Sequence, residues 1–598
     1  MITPMTKYSF VLLNGEQTGL LEQLQELGLV DITRSVKPVD NTSQAISAEI
    51  DLLNGLIQGL RKIEIPEGTQ ATPLQESDDL VRLAGGTLMY YSETMGQIRD
   101  LEKTVHERRV WGSFDPEIVR HLAEAGVPLH FHKLSKKAYD ENWAREYALT
   151  EIAREKDGVY FVVAGEDPLP GEVPMPEGDQ AQAAAALKDK ERFLHRLEEE
   201  VLGLQQQIPV LENLRAAEYS KLDCYLAGVS AVPAAENTIV TLVGYAPTEK
   251  DEEVTEALER IGVLYLKEDA VVQDNPPIQL QNNSFVKQFE VLTDMYGRPA
   301  YDGFDPTPFI SIFFLLFFAL CMGDAGYGLI LVAAGILLKK VPSFKDMAPL
   351  VVILGVGTVI VGFFLHTFFS IDIAQWKVFE PIKGIFLPDE IGGYAGGMVL
   401  AIVVGIIHLC LAMLVKAIQA VKVNGFSRSL GTLGWTLLIV GGVVVGALAL
   451  MGVLDADATK WIIIVLGIVS AIGIFPLNNP DRNKFANVGL GLWDTYNTVT
   501  GLLGDVLSYL RLYALGLAGS MLGMAFNDMG KMVLGDGSNP VFWLFFILLV
   551  VIGHTLNIAM CALGAFVHPL RLNFLEFFKN SGYEAAGRNY NPLKKQTK

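Results

Sequence analysis

The sequence predicts a mainly α-helical protein in two parts, and three observations lead there. Of 598 residues, 50% are hydrophobic, and the long apolar runs all fall after residue 300. The formal net charge of -20 is uneven: residues 1–299 carry 28 Lys and Arg against 50 Asp and Glu, whereas residues 300–598 carry 19 against 17. The acidic half also holds two stretches with apolar residues at heptad-like spacing. The expectation is a cytoplasmic antiparallel coiled-coil stalk with small α+β lobes over 1–300, followed by a polytopic helical membrane domain over 301–598. An acidic soluble half excludes a nucleic-acid partner, whose phosphates need a basic surface. Four scattered cysteines form neither a disulfide framework nor a metal site and read as small hydrophobes.

In the stalk, Ile46, Ile50, Leu53, Ile57 and Leu60 make one seam, which Tyr91, Met95, Ile98, Leu101 and Val105 resume. A second seam, Leu194, Leu197, Val201, Leu204, Ile208 and Leu211, lies on a long helix that Pro209 should kink. Two such seams suit a chain folded back on itself. The distal lobe is then about 111–176, where GVYFVVAG (158–165) reads as a buried strand and Pro168 to Pro176 lead into the return helix. The proximal lobe pairs about 5–35 with 238–272, through strands at Ile239 to Tyr245 and Val263 to Leu266 around a helix from Glu252 to Arg260. No cleavable signal precedes it, so the N-terminal half is expected on the cytoplasmic side. Phosphate loops, dinucleotide fingerprints and metalloprotease or Cys pairs are all missing from the sequence, so no nucleotide hydrolysis and no cofactor are expected.

Beyond Phe309 the first apolar block, 309–338, is too long for one upright crossing and short for two, since a span takes roughly 20 residues. Its centre, Gly323-Asp324-Ala325-Gly326-Tyr327-Gly328, reads as a turn built on Gly323, Asp324, Gly326 and Gly328. Loop charge decides between the two. A hairpin here puts Lys339, Lys340, Lys345, Lys416, Lys422, Arg428, Arg482 and Lys484 on the cytoplasmic side with the tail residues Lys594, Lys595 and Lys598; a single crossing would invert that arrangement. Eight spans with both termini inside follow. The last two blocks, 493–528 and 540–578, are long enough to require steep tilt.

Arg511 lies midway along the first of these, in LLGDVLSYLRLYALGLAGSML, too deep to snorkel easily. An intramembrane guanidinium stays charged and by default marks an ion pathway with an acidic partner. Asp505, six residues earlier, falls nearly on the opposite helix face, which points to a partner on another chain. The last helix adds Arg571 and Glu576, with His554, Asn557 and His568 spaced as one stripe able to pass protons or bind ions. Asp505, Ser508, Tyr509, Tyr513, His554, Asn557, His568 and Glu576 are the half-channel candidates, and Arg511 and Arg571 the fixed charges.

PPIQLQNNSFVKQFEVLTDMYGRPAYDGFDPTPF (276–309), GDAGYG, GDVLSYLRLYALGLA (504–518) and HPLRLNFLEFF (568–578) resemble the membrane a subunit, or subunit I, of V-type and A-type rotary ATPases over essentially the whole chain. The resemblance implies a non-catalytic stator, its arm held by peripheral stalks and its tilted helices facing a rotating proteolipid ring with one carboxylate per subunit. It also implies a central-stalk collar among the partners and a multi-pass place in a prokaryotic cell membrane. Arg511 matches the family's essential arginine and Arg571 its companion. Such a fixed cation would draw each arriving carboxylate into releasing its H⁺ or Na⁺ and block a direct leak. Cys561, Gly564 and Gly519 stand where relatives carry ionisable or polar groups. Two rival readings remain: a secondary transporter with a substrate site at the broken GDAGYG helices, which would need repeated halves that the sequence lacks, and a tether, which leaves Arg511 without a purpose.

Overall fold

A computed structural model of the chain describes every residue except 36, 74–78, 112–113, 156–157, 167–168, 176–179, 235–237, 478–483, 536–539 and 597–598. Pro168, Pro176, Arg482 and Lys598, and the side chain of Lys484, therefore lie outside the described residues. The chain forms two compact units, Val11–Leu242 with Leu593–Lys598, and Met1–Phe10 with Val243–Pro592.

The first unit holds helices α1 (Gln17–Leu27), α2 (Asn41–Lys62), α3 (Leu80–Trp111), α4 (Pro116–Glu124), α5 (Gln180–Gln206) and α6 (Ile208–Val229). α2 starts at a capping box, where the Asp40 carboxylate accepts from Ser43 N–H while the Ser43 hydroxyl receives the Asp40 N–H. Ile46, Ile50, Leu53, Ile57 and Leu60 are all buried, so the heptad spacing marks the packed face of α2. Leu53, Ile57 and Leu60 share a core with Val201, Leu204 and Leu211, and α2 lies along α6 as α3 does along α5. Pro209 does more than kink the return helix. The helix divides at Gln207, and Pro209 sits in the first turn of α6, where its missing N–H has no intrahelical acceptor to lose. Beyond α4, strands Leu149–Glu155, Gly158–Ala164, Leu129–Leu134 and Glu172–Val173 lie side by side in that order, antiparallel throughout. The expected buried strand is central, with Val159, Tyr160, Phe161 and Val163 buried.

In the second unit, strands Ile239–Pro247, Met5–Leu13 and Leu264–Asp269 pair in that order beside α7 (Asp251–Ile261). The Asp251 carboxylate accepts from the Tyr8 hydroxyl and from Lys267. The membrane part contains α8 (Thr307–Met322), α9 (Ala325–Leu338), α10 (Ala348–Phe364), α11 (Gly396–Asn424), α12 (Leu430–Leu450), α13 (Ala456–Ile474), α14 (Lys484–Leu534) and α15 (Pro540–Arg571). Among the described residues five helices, α11 to α15, are long and apolar enough to cross a membrane, and α8, α9 and α10 are shorter apolar helices.

The chain reverses at Gly323-Asp324. Leu315 of α8 packs where Gly357 of α10 leaves room, and the backbone of Val332 of α9 passes Gly355, two residues away. A straight helix would hold residues 315 and 332 roughly 25 Å apart along its axis, so both helices must run past the same level of α10. Gly323 makes the turn with φ +58° and Asp324 caps α9. α14 is longer than the apolar pattern suggested, at 51 residues or roughly 75 Å. After α15 the helix widens into a π-helical turn, Leu572–Phe577. The tail then returns: Arg588–Asn589 pairs in parallel with Pro277–Ile278, and the Tyr583 hydroxyl donates to the Gly297 carbonyl at 2.6 Å.

Candidate functional site

α14 and α15 pack against each other, and each leaves an uncovered apolar stripe. On α14 Leu503, Leu507 and Met521 are 64%, 55% and 58% exposed, and Arg511 lies at the edge of that stripe. On α15 Met560 and Val567 are exposed, and Arg571 continues their line. His568 stands within electrostatic range of both guanidinium groups. Among the described residues neither arginine makes an ion pair or a hydrogen bond. A guanidinium left on an apolar face costs a few kcal/mol at the bilayer centre.

Two cavities touch α14 on either side of Arg511, which lines neither. One, about 410 Å³, is bounded by Asp494, Asn497, Thr498 and Asp505 of α14 together with Lys416, Thr436, Lys579 and Asn580. The other, about 230 Å³, takes Tyr513, Gly516 and Ser520 of α14 with Gly323, His366 and Asp389. Asp505 accepts hydrogen bonds from Lys579 at 3.3 Å and Asn580 at 2.8 Å, so it is spoken for on its own helix pair and does not face Arg511. Ser508 donates back to the Gly504 carbonyl at 3.1 Å. Glu576 is buried in the π-helical turn, and its Oε2 has no hydrogen-bond partner among the described residues. At the rim of the smaller cavity His366 approaches Asp372 at 3.0 Å and Asp389 at 3.3 Å. Burial pushes the Asp372 carboxyl up, yet hydrogen bonds from Ala374 N–H, Gln375 and His366 carry it below its ordinary range.

The expected stripe of His554, Asn557 and His568 divides. His554 and Asn557 are buried in a closed network away from both cavities: the Tyr327 hydroxyl meets His554 Nδ1 at 2.7 Å and receives Asn557 Nδ2 at 2.8 Å. His554 Nε2 reaches Asn527 Oδ1 at 2.9 Å, and Asn557 Nδ2 also donates to the Gly519 carbonyl at 2.8 Å. Asp324 anchors the same region. Its carboxylate accepts from the backbone N–H groups of Gly326, Tyr327, Phe369 and Ser370, which secures a loop where His366, Phe369 and Ser370 hold positive φ. Gly326 and Gly328 are small because the Phe369 ring and the α10 backbone press against them. Tyr327, Asn527 and His408 escaped sequence reasoning; the available signal was a polar residue inside an apolar run.

The model of the V-type ATPase 116 kDa subunit family matches residues 204–347 and 494–595. The second window carries Arg511, Arg571 and every half-channel candidate. Over those two windows the chain is similar to this family. It is 32% identical over 352 residues to the A-type ATP synthase subunit I of Methanocaldococcus jannaschii, a match covering 54% of this chain and 49% of that one. The A-type ATP synthase subunit I of Pyrococcus abyssi is 31% identical over 59% of this chain and 53% of its own. The match thus spans about half the length of these archaeal relatives. The V-type ATP synthase subunit I of Borreliella burgdorferi aligns over all of both chains at 24% identity. Similarity to this family and five helices long and apolar enough to cross a membrane fit a membrane protein, and Arg511 and Arg571 fall in the second matched window.

Proposed function

We propose that this chain is the stator subunit of a V/A-type rotary ATPase or ATP synthase, carrying H⁺ or Na⁺ between two half-channels by way of a rotating ring. The observation that carries the reading is Arg511: a cation with no partner among the described residues, on an uncovered apolar face, with one cavity on α14 before it and another after it. A ring subunit with a buried carboxylate would cover that face and supply the missing charge. Arginine suits the role because it holds its proton where a buried lysine can lose it. The cation would draw the carboxylate into its ionised form as it arrives, releasing the ion to one cavity, while the gap between the cavities keeps ions from crossing without rotation.

In this reading eight spans, α8 to α15, cross the membrane with both termini cytoplasmic, and residues 301–598 form the ion-carrying domain. The paired helices α2, α3, α5 and α6 form the arm that peripheral-stalk subunits hold. His366 and Asp389 then rim the external cavity, and Lys416 and Lys579 the cytoplasmic one.

Cysteine accessibility tests it. In otherwise cysteine-free complexes, a membrane-impermeant maleimide should label Asn497→Cys only from the cytoplasmic side and Ser520→Cys only from the opposite side. Labelling of both from one side would exclude two half-channels.

A further inference from the structure

We propose that Gly405 and His408 of α11 form a socket for Tyr509 that fixes the rotation of α14 about its axis, and with it the direction of Arg511. The inference rests on the reading of Arg511 given above and adds positioning residues to it. Tyr509 is fully buried at 0% exposure. Its ring lies against Gly405, where an added Cβ would fall 2.3 Å from a ring carbon, and its hydroxyl shares a 3.0 Å hydrogen bond with His408 Nδ1. Gly405 and His408 are three residues apart, so they stand on one face of α11. The imidazole is itself immobilised, stacked on Phe313 at 4.2 Å and on Phe577 at 4.8 Å.

Arg511 lies two positions beyond Tyr509, a turn of about 200° round the helix. Whatever holds the tyrosine against α11 therefore holds the arginine toward the uncovered face. A side chain reaching roughly 6 Å from the helix axis moves about 2 Å for a 20° rotation, and misplacements of that order cost about a hundredfold in oriented reactions. A proton-relay role fits less well. His408 Nε2 has no hydrogen-bond partner among the described residues, and His408 lines neither cavity.

The test uses the whole complex in sealed vesicles, scored for assembly, ATP hydrolysis and ions moved per ATP, with Arg511→Ala as reference. Tyr509→Phe and Gly405→Ala should each assemble and hydrolyse ATP, yet move roughly 3- to 10-fold fewer ions per ATP. Gly405→Ala adds a methyl and removes no polar group, so a loss there identifies displacement. His408→Gln should keep more coupling than His408→Leu, and Tyr509→Phe combined with His408→Leu should be no worse than the poorer single variant. Normal ions per ATP in Tyr509→Phe, beside loss of flux in Arg511→Ala, overturns the socket alone. Normal flux in Arg511→Ala overturns the reading beneath it.

Discussion

In the unit formed mainly by residues 11–242 charged side chains pair at the surface: Arg192 meets Asp189 at 3.2 Å and Lys595 meets Glu26 at 2.8 Å. Water screens such pairs, and each is worth at most about 1 kcal/mol. In the membrane unit Tyr327, Asn527, His554 and Asn557 are tied into a closed network, whereas Arg511 and Arg571 are unpaired among the described residues. The contrast teaches where a charge is informative. An exposed arm can carry unpaired arginines at no cost, whereas an apolar helix face keeps one only when something else brings the opposite charge.

Four substitutions would break or sharpen that contrast. Gly362→Ala should have the largest effect on stability, about 3 kcal/mol, because the new Cβ would meet the backbone nitrogen of Ala325 at 2.3 Å. Detergent-solubilised chain should melt well below wild type; an unchanged melting temperature would mean that α9 and α10 are not packed as described. Asn557→Leu removes two buried hydrogen bonds, to the Tyr327 hydroxyl and the Gly519 carbonyl, and should cost about 1–3 kcal/mol in the same assay. Arg192→Ala, on the exposed face of α5, should cost no more than about 1 kcal/mol. A larger loss there than in Asn557→Leu would reverse the comparison.

The smallest effect concerns pH. The hydrogen bond from Lys7 holds the Asp274 carboxyl below its usual range, with burial opposing it. A lowered carboxyl stabilises the fold at pH above its unfolded value, and the gain fades as pH falls through the folded one. Asp274→Asn should therefore melt slightly earlier than wild type near pH 7 and together with it near pH 3. A gap that persists in acid would assign the effect to packing.

Much of this architecture could be read from local pattern. The seam on α2 is a heptad, the strand at 158–164 is a β-branched and aromatic run between glycines, and the Gly-Asp turn announces itself because three glycines and a carboxylate interrupt an apolar block. Charge asymmetry among the loops indicated a reversal there, and the packing of Leu315 and Val332 along α10 gives its geometry. What local pattern cannot supply is partnership across distance. Tyr327 and His554 are 227 residues apart and His408 and Tyr509 are 101 apart, so the helical stripe joining His554 and Asn557 to His568 gave no hint that the first two close on themselves. Arg511 stood out for the converse reason: it is a charge inside an apolar run, with no partner among the described residues.

The most direct test of the central claim is ATP-driven ion flux by vesicle-reconstituted complexes carrying Arg511→Ala, with subunit composition and ATP hydrolysis measured on the same preparation. The account predicts an intact complex whose flux falls to background. Coupled flux at the wild-type level in an assembled Arg511→Ala complex would contradict it and leave the chain a tether.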